Sequence, residues 1–266
     1  MNDVVNFYNN FENKLINDYI SGNERIESAM LELFQFVNPY AENILDIGCG
    51  IGWSTHEMAC MFKNTNIHGI DLSPKLIECA KRLFRSKNLK FSCSDINDFN
   101  VDKKYDVITM IDVYEHIHPN GRNIFHAQLN KILNEYGRLL IATPSKFHQE
   151  FLKEKHPEGL QPVDETIELN DIQKLADDIK GDIIYIEYQS IWNDYDYVYF
   201  VIQRKPRFEK LNGIRFYNKV SLEPFQSRIN RVRRGPELLY MVNSYTGQKV
   251  LIHRYFLKLM RVLKLR

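Results

Sequence analysis

Apolar runs alternate with stretches of helical periodicity along most of this chain. The runs at residues 44–47, 66–71, 89–96, 105–112 and 138–144 are too short for helices and largely lack a polar face. They read as strands buried on both sides. A helical stretch at 53–62 and a second beginning at Lys75 separate the first three runs. Strands alternating with helices predict a parallel sheet with helices on both faces. Two more strands, 182–191 and 195–203, follow a helix at 171–179. Ahead of the first strand, residues 4–37 read as helices broken at Ser21-Gly22-Asn23. There Ile26, Ala29, Met30, Leu33 and Phe34 recur at helical spacing and should face the core. Residues 145–170 show no clear period, and a loop of that length inside a compact domain tends to serve function. Trp192 and the run Tyr195 to Tyr199 form an aromatic cluster in the last strands that is expected to be core.

The first strand runs into Asp46-Ile-Gly48-Cys-Gly50-Ile-Gly52. Glycines there let the backbone turn sharply and approach a ligand closely. A dinucleotide turn needs G-x-G-x-x-G, but its third glycine position is Trp53 here, so that reading fails. The D-x-G-x-G-x-G run resembles motif I of the class I S-adenosylmethionine-dependent methyltransferases. Three further segments agree with it. The second strand ends in Asp71, 23 residues after Gly48. An acidic group at that point accepts hydrogen bonds from ribose hydroxyls, although an aspartate before Leu72-Ser-Pro also suits a helix cap. The third strand ends in Asp95-Ile96, similar to the family's adenine contact, an acidic residue for the amino group and an apolar one for the ring. The fourth and fifth strands complete the parallel core, and the resemblance covers residues 40–205. It implies an α/β, Rossmann-like, doubly wound seven-stranded sheet, its last strand antiparallel, with S-adenosylmethionine as cofactor. It also implies a helical lid over residues 1–40, a catalytic domain over 41–205 and a substrate loop at 145–170. Asp46, Gly48, Gly50, Asp71, Leu72, Asp95, Ile96 and Ile111 are the expected cofactor residues. From the lid, Tyr19 and Arg25 are candidates for the methionine carboxylate, since arginine pairs bidentately with carboxylate. A packing tyrosine and a solvated arginine are the alternative.

The reacting end should follow the fourth strand, where the chain reads Asp112-Val-Tyr-Glu115-His116-Ile-His118-Pro. Methyl transfer to a hydroxyl requires an oriented acceptor and a group to take its proton. His116, with Glu115 beside it, is the candidate general base, because imidazole changes charge near neutral pH; a plain hydrogen-bonding role is the alternative. Asp-x-x-Glu-His is also similar to the Glu-x-x-Glu-His run of ubiquinone-biosynthesis and small-RNA 2′-O-methyltransferases. In the latter, such residues with a later histidine hold a divalent metal. Asp112, Glu115, His116 and His148 or His156 would then hold Mg²⁺. In the loop, His156, Gln161 and Asp164 form a donor–acceptor set suited to a polyhydroxylated acceptor, or are turn chemistry around two prolines. The expected reaction is O-methylation of a small metabolite or a saccharide, possession of the fold alone leaving N- or C-methylation or a non-catalytic binding subunit open.

Charge changes this picture at one end. Residues 206–266 carry 14 Lys and Arg against 3 Glu, a balance of +11, so residues 1–205 carry −10 within a net +1. A basic extension that meets an anionic partner, or folds back on the acidic body, fits that split. Arg228, Arg231, Arg233 and Arg234 could hold a phosphate. Residues 249–266 carry a basic stripe, Arg254, Lys258, Arg261 and Lys264, that suits a membrane surface, the catalytic domain or a second subunit. No RNA-binding module is recognisable, which argues against nucleic acid. Four cysteines without C-x-x-C spacing, no leader-like start and no long apolar run predict a cytoplasmic protein, peripheral to a membrane at most.

Overall fold

The computed structural model describes residues 11–38, 40–99, 103–207 and 220–233. Two helices, α1 (Glu12–Ser21) and α2 (Glu24–Leu33), precede β1 (Asn43–Ile47), α3 (Trp53–Met61), β2 (Asn66–Asp71), α4 (Pro74–Leu83), β3 (Leu89–Cys93) and β4 (Tyr105–Ile111). A single tight turn of helix at Tyr114–His116 leads to α5 (Pro119–Ile132), β5 (Leu133–Pro144), α6 (Lys146–Lys155), α7 (Leu169–Asp178), β6 (Asp182–Gln189), β7 (Tyr197–Gln203) and α8 (Phe225–Arg233). The strands form one sheet in the order β3-β2-β1-β4-β5-β7-β6. β1 to β5 pair in parallel, and β7 runs antiparallel to both β5 and β6. This is the seven-stranded, doubly wound arrangement that the family resemblance implies, with the parallel core that the alternating pattern predicts.

The apolar runs are continuous because both faces of the sheet are covered. Ile44, Val107, Leu140 and Val201 join one core with α1 to α4, whereas Leu45, Ile108, Leu139 and Ile202 join the other with α5 and α7. Alternate side chains of each strand therefore enter opposite cores. Polar residues punctuate the helices. Asn23 accepts from the amides of Arg25 and Ile26 at 3.1 and 3.5 Å, and Ser73 and Ser145 cap α4 and α6 through Leu76 and His148 at 3.2 Å each. The order of strands reverses between β1 and β4, and ligands of open α/β sheets bind at the carboxyl ends on either side of such a point.

Residues 145–170 are not a structureless loop. Their first ten residues after Ser145 form α6, which buries only Gln149. A helix with almost no buried face has no apolar stripe to read, which is why its period is hidden. The aromatic cluster is also divided: Tyr197 and Tyr199 are core, but Trp192 and Tyr195 are more than half exposed, at 52% and 57%.

The described part of the basic extension folds back on the body. Glu223, just ahead of α8, receives the Tyr19 hydroxyl on Oε2 at 2.7 Å and Arg231 on Oε1 at 2.6 Å, while its amide donates to the Glu57 carboxylate at 3.0 Å. Burial opposes its charge, but hydrogen bonds from His56, Arg231 and Tyr19 outweigh that and pull the Glu223 carboxyl down to about 2. Arg228 pairs with Glu27 at 2.5 Å and lies over the Trp53 ring at 4.8 Å. Two arginines of the expected phosphate patch are thus committed to carboxylates of the same chain. Residues 1–10, Arg234 and the stripe at 249–266 lie outside the described residues. Because Arg228 is 4% exposed, Arg228→Ala removes both its ion pair with Glu27 and its cover over the Trp53 ring. It should cost about 3 kcal/mol in urea unfolding with an unchanged denaturant slope; a loss within 0.5 kcal/mol would mean the clasp contributes little, on the order seen for surface pairs.

Candidate active site

Asp46 closes β1 with 1% exposure, and its carboxylate accepts three hydroxyls: Ser54 at 2.5 Å, Thr55 at 2.6 Å and Thr109 at 2.6 Å. These draw the first turn of α3 and the middle of β4 onto the end of β1. Burial pushes its pKa upward, against the three hydroxyls. Beyond it the backbone takes left-handed conformations at Gly48, Gly50 and Gly52 (φ 67°, 54° and 83°). At Gly48 a side chain is excluded twice, by that φ and by Val113, whose Cγ2 would lie 2.5 Å from an added Cβ. Asp71 receives the Gly50 amide on one carboxylate oxygen at 2.9 Å and the Ser73 amide on the other at 2.8 Å. It therefore ties the glycine turn to the end of β2 and also begins the next helix.

Around this turn are two connected chambers of about 140 and 220 Å³ that share Gly48, Asp71, Asp112 and His116. The first is lined by Leu15, Arg25 and Ile26 from α1 and α2, with Asp46, Gly50, Ile111 and Gln161. The second is lined by Leu72, Asp95, Ile96, Phe125 and Val163. Every expected cofactor residue borders one of them except Tyr19. That side chain is turned into the clasp, hydroxyl on Glu223 and ring edge-on to Trp53 and Phe84.

The first chamber holds unpaired polar atoms. Arg25 donates to the Tyr197 hydroxyl at 3.0 Å and pairs with Asp112 at 3.1 Å, but its Nε has no partner. Asp112 Oδ1 and Gln161 Oε1, which also line it, are likewise buried and unpartnered, as is Oε2 of Glu115 outside the chamber lining. Each such atom costs roughly 1–3 kcal/mol unless a ligand meets it. Asp112 also holds a left-handed backbone (φ 54°), a strain that non-glycine residues keep mainly at functional positions. These donors and acceptors fit the charged amino-acid end of S-adenosylmethionine. The second chamber, apolar with Asp71 and Asp95 at its edge, fits an adenosine.

At the junction, His116 Nδ1 lies 2.7 Å from the Val163 carbonyl, which can only accept, so Nδ1 carries the proton and Nε2 is the acceptor nitrogen of the neutral ring. Glu115 is 1% exposed, with Oε1 3.8 Å from that Nε2. Burial first, and then the neighbouring Asp112 charge, raise its pKa well above the ordinary carboxyl range.

The loop residues and the metal set are arranged otherwise than expected. His156 is exposed on Glu158 at 3.1 Å, away from both chambers. Asp164 receives Gln149 Nε2 at 2.6 Å and the Gln161 amide at 3.1 Å, so it staples the loop to α6 and leaves Gln161 alone to reach the chamber. His148 leans on the Tyr197 ring with centroids 6.2 Å apart. With Asp112 on Arg25, His116 on a carbonyl and His156 at the surface, no group of three metal-binding side chains converges among the described residues, and the site does not fit Mg²⁺. Ser54, Thr55, Thr109 and Tyr197 escaped the sequence reading. Only Ser54-Thr55, directly after the glycine turn, offered a local signal.

Residues 44–137 match the methyltransferase domain family. Fold and glycine turn agree with that match: the chain carries a methyltransferase domain in the seven-stranded arrangement of the class I S-adenosylmethionine-dependent enzymes. Among curated relatives it is similar to malonyl-[acyl-carrier protein] O-methyltransferase 2 of Ilyobacter polytropus, with 34% identity over 158 residues, 58% of this chain and 60% of the relative. It is also similar to malonyl-[acyl-carrier protein] O-methyltransferase 1 of that organism, 33% over 114 residues and 42% of each. The chain thus spans only about two to three fifths of the length of these relatives. The magnesium protoporphyrin IX methyltransferase of Synechocystis PCC 6803, solved with bound S-adenosylhomocysteine, shares the fold. Its TM-score is 0.55 at 20% identity, over 68% of this chain and 82% of that one. Among the described residues no helix is long and apolar enough to cross a membrane.

The Glu115 shift carries a pH signature. A carboxyl whose native pKa lies above its unfolded value favours folding at low pH, and that contribution is lost as pH rises toward the native value. Glu115→Gln is neutral throughout, so it should raise the melting temperature by about 2–4 °C at pH 8 and leave it nearly unchanged at pH 5. Equal shifts at both pH values would show that the carboxyl does not titrate between them.

Proposed function

We propose that this chain transfers a methyl group from S-adenosylmethionine to a hydroxyl oxygen, with His116 as general base. The observation that carries the reading is the 2.7 Å contact between His116 Nδ1 and the Val163 carbonyl at the meeting of the two chambers. It selects the tautomer whose Nε2 can take a proton, and the carbonyl then stabilises the resulting cation. Gly48, Asp112, Arg25 and Gln161 would hold the methionine end of the cofactor, Asp71 the ribose, and Asp95, Ile96 and Leu72 the adenine. The bound cofactor supplies a methyl group already activated on a sulfonium. The protein positions the acceptor oxygen in line with that carbon and excludes water beneath α1 and α2. As the new C–O bond forms, the acceptor's proton passes to His116 Nε2.

The names of the curated relatives favour a second reading, methylation of a carrier-bound malonyl carboxylate rather than of a small metabolite or saccharide. A carboxylate is already deprotonated and needs no base, but it does need a cation. Arg25 and Lys14, which both line the first chamber, are paired with Asp112 and Asp18, and Glu115 and Asp164 add acidic groups near Arg25. This electrostatics supports a neutral hydroxyl over an anionic acceptor. The two readings separate on one variant. With a hydroxyl acceptor, His116→Ala should lower kcat by about 10²–10⁴ while the cofactor Kd by calorimetry changes less than about twofold. Turnover of a malonyl-carrier substrate that is indifferent to His116→Ala would replace the base with the carboxylate reading.

A further inference from the structure

Beside the cleft lies a rim of aromatic side chains that the reaction described so far does not use. Phe147 and Phe151 stand four residues apart on α6, Tyr188 ends β6, and Trp192 and Tyr195 occupy the turn between β6 and β7. They are five of the seven exposed aromatic residues among those described. Ring contacts run from Phe147 to Tyr188 (6.1 Å) and from Tyr188 to Tyr195 (6.4 Å), and Trp192 stands edge-on to Tyr197 (6.3 Å). Tyr197 then leads into the cleft, because its hydroxyl holds Arg25. Register puts the turn at the same end of the sheet: Tyr197 pairs with Pro144, the last residue of β5, whose neighbour β4 ends at Ile111 before Asp112 and His116.

The fold invests in holding these rings out. Asp196, 1% exposed, accepts the amides of Ile191 at 2.8 Å, Trp192 at 3.0 Å and Asn193 at 3.2 Å. Tyr195 keeps a left-handed backbone (φ 54°), fixed by its amide on Ser190 Oγ at 2.9 Å and its carbonyl under Ser145 Oγ at 2.5 Å. Strain and a buried carboxylate are thus used to present two rings that bury little themselves. Exposed apolar surface at this density marks a binding face.

We propose that the rim is the platform on which the non-reacting rings of an oligosaccharide acceptor stack, while one of its hydroxyls enters the cleft. This rests on the hydroxyl reading above. Sugar rings offer an apolar C–H face to an aromatic ring and hydroxyls at their edge. The rim supplies both partners, with Ser190, Asn193 and Asp194 exposed between the rings. An acyl chain would require an enclosed apolar slot rather than an open row. A nucleic acid or phosphate would favour a strongly cationic rim, whereas Lys146 is paired with Glu168 at 2.7 Å and α6 sets Lys153 and Lys155 against Glu150 and Glu154. Continuity with the cleft through Tyr197 and Arg25 favours the acceptor over a second copy of the chain as occupant.

Intrinsic fluorescence tests this without turnover, since the chain has two tryptophans, Trp53 being 4% and Trp192 52% exposed. Titration of the full chain with neutral malto-, cello-, galacto- and chito-oligosaccharides should give a saturable change with at least one series. The change should be absent in Trp192→Phe, weaker by roughly tenfold in affinity in Tyr195→Ala and Phe147→Ala, and intact in His116→Ala. These rim positions are exposed, so the variants should fold as the parent does. No saturable response to any series, a response that persists in Trp192→Phe, or a response only to a fatty-acid probe overturns the proposal. So does a dimer in light scattering that Trp192→Ala dissociates. Saccharide binding together with turnover indifferent to His116→Ala would overturn the base and leave the platform standing.

Discussion

The buried carboxylate of Asp46 is the contact on which the remainder of the site depends. Three hydroxyls on it, from Ser54, Thr55 and Thr109, bind the end of β1 to the start of α3 and to β4. Removing a carboxylate from water is costly, and hydrogen bonds to all its sides are what make it tolerable. The result is a rigid corner where the strand order reverses. From that corner the glycine turn leaves left-handed, with the Cys49, Gly50 and Gly52 amides bonded to Ile70, Asp71 and Cys49, and β4 is held so that Asp112 and His116 border the same chambers. Asp71 repeats the device one strand over, with the Gly50 and Ser73 amides on its two oxygens. The turn that borders both chambers is therefore held in place by carboxylates that position backbone.

A second constraint comes from charge. The acidic body and basic extension meet in the network of Glu57, Glu223, Arg228 and Arg231, which anchors the helices ahead of β1 from behind. Because α1 and α2 supply Leu15, Arg25 and Ile26 to the first chamber, the clasp and the cleft share one support. Salt should weaken such a network little, since its groups are largely out of solvent. The tightness of the helices over the cleft is then set by chain beyond the sheet.

Much of this was legible in the sequence because it rests on local rules. Runs buried on both faces announce the parallel sheet, and the glycine turn with Asp71 and Asp95-Ile96 announces residues that border the chambers. What escaped depends on tertiary partners. Tyr19 carries no local sign that Glu223, 204 residues away, takes its hydroxyl. α6 is silent because its aromatic face points to water. Trp192 and Tyr195 resemble core because composition cannot distinguish a ring held out by a strained turn from a ring packed in. The expected metal cluster failed for a similar reason: Asp112, Glu115 and His116 are adjacent in sequence, but each is claimed or buried in a different direction.

That divergence bears on acceptor choice. Asp112 pairs with Arg25, so the cleft presents hydrogen-bonding capacity beside an already paired cation. A site of that kind discriminates by the number and direction of donors and acceptors, and it rejects a ligand that leaves its buried atoms unpaired. The match to the methyltransferase domain family covers residues 44–137, which supply most of the chamber lining around the glycine turn. Arg25, Gln161, Tyr197 and the turn behind Asp196 all lie outside the matched domain at 44–137. Relatives that share the cradle therefore constrain the donor of the methyl group far more than its destination, and the destination must be argued from the wall that this chain builds for itself.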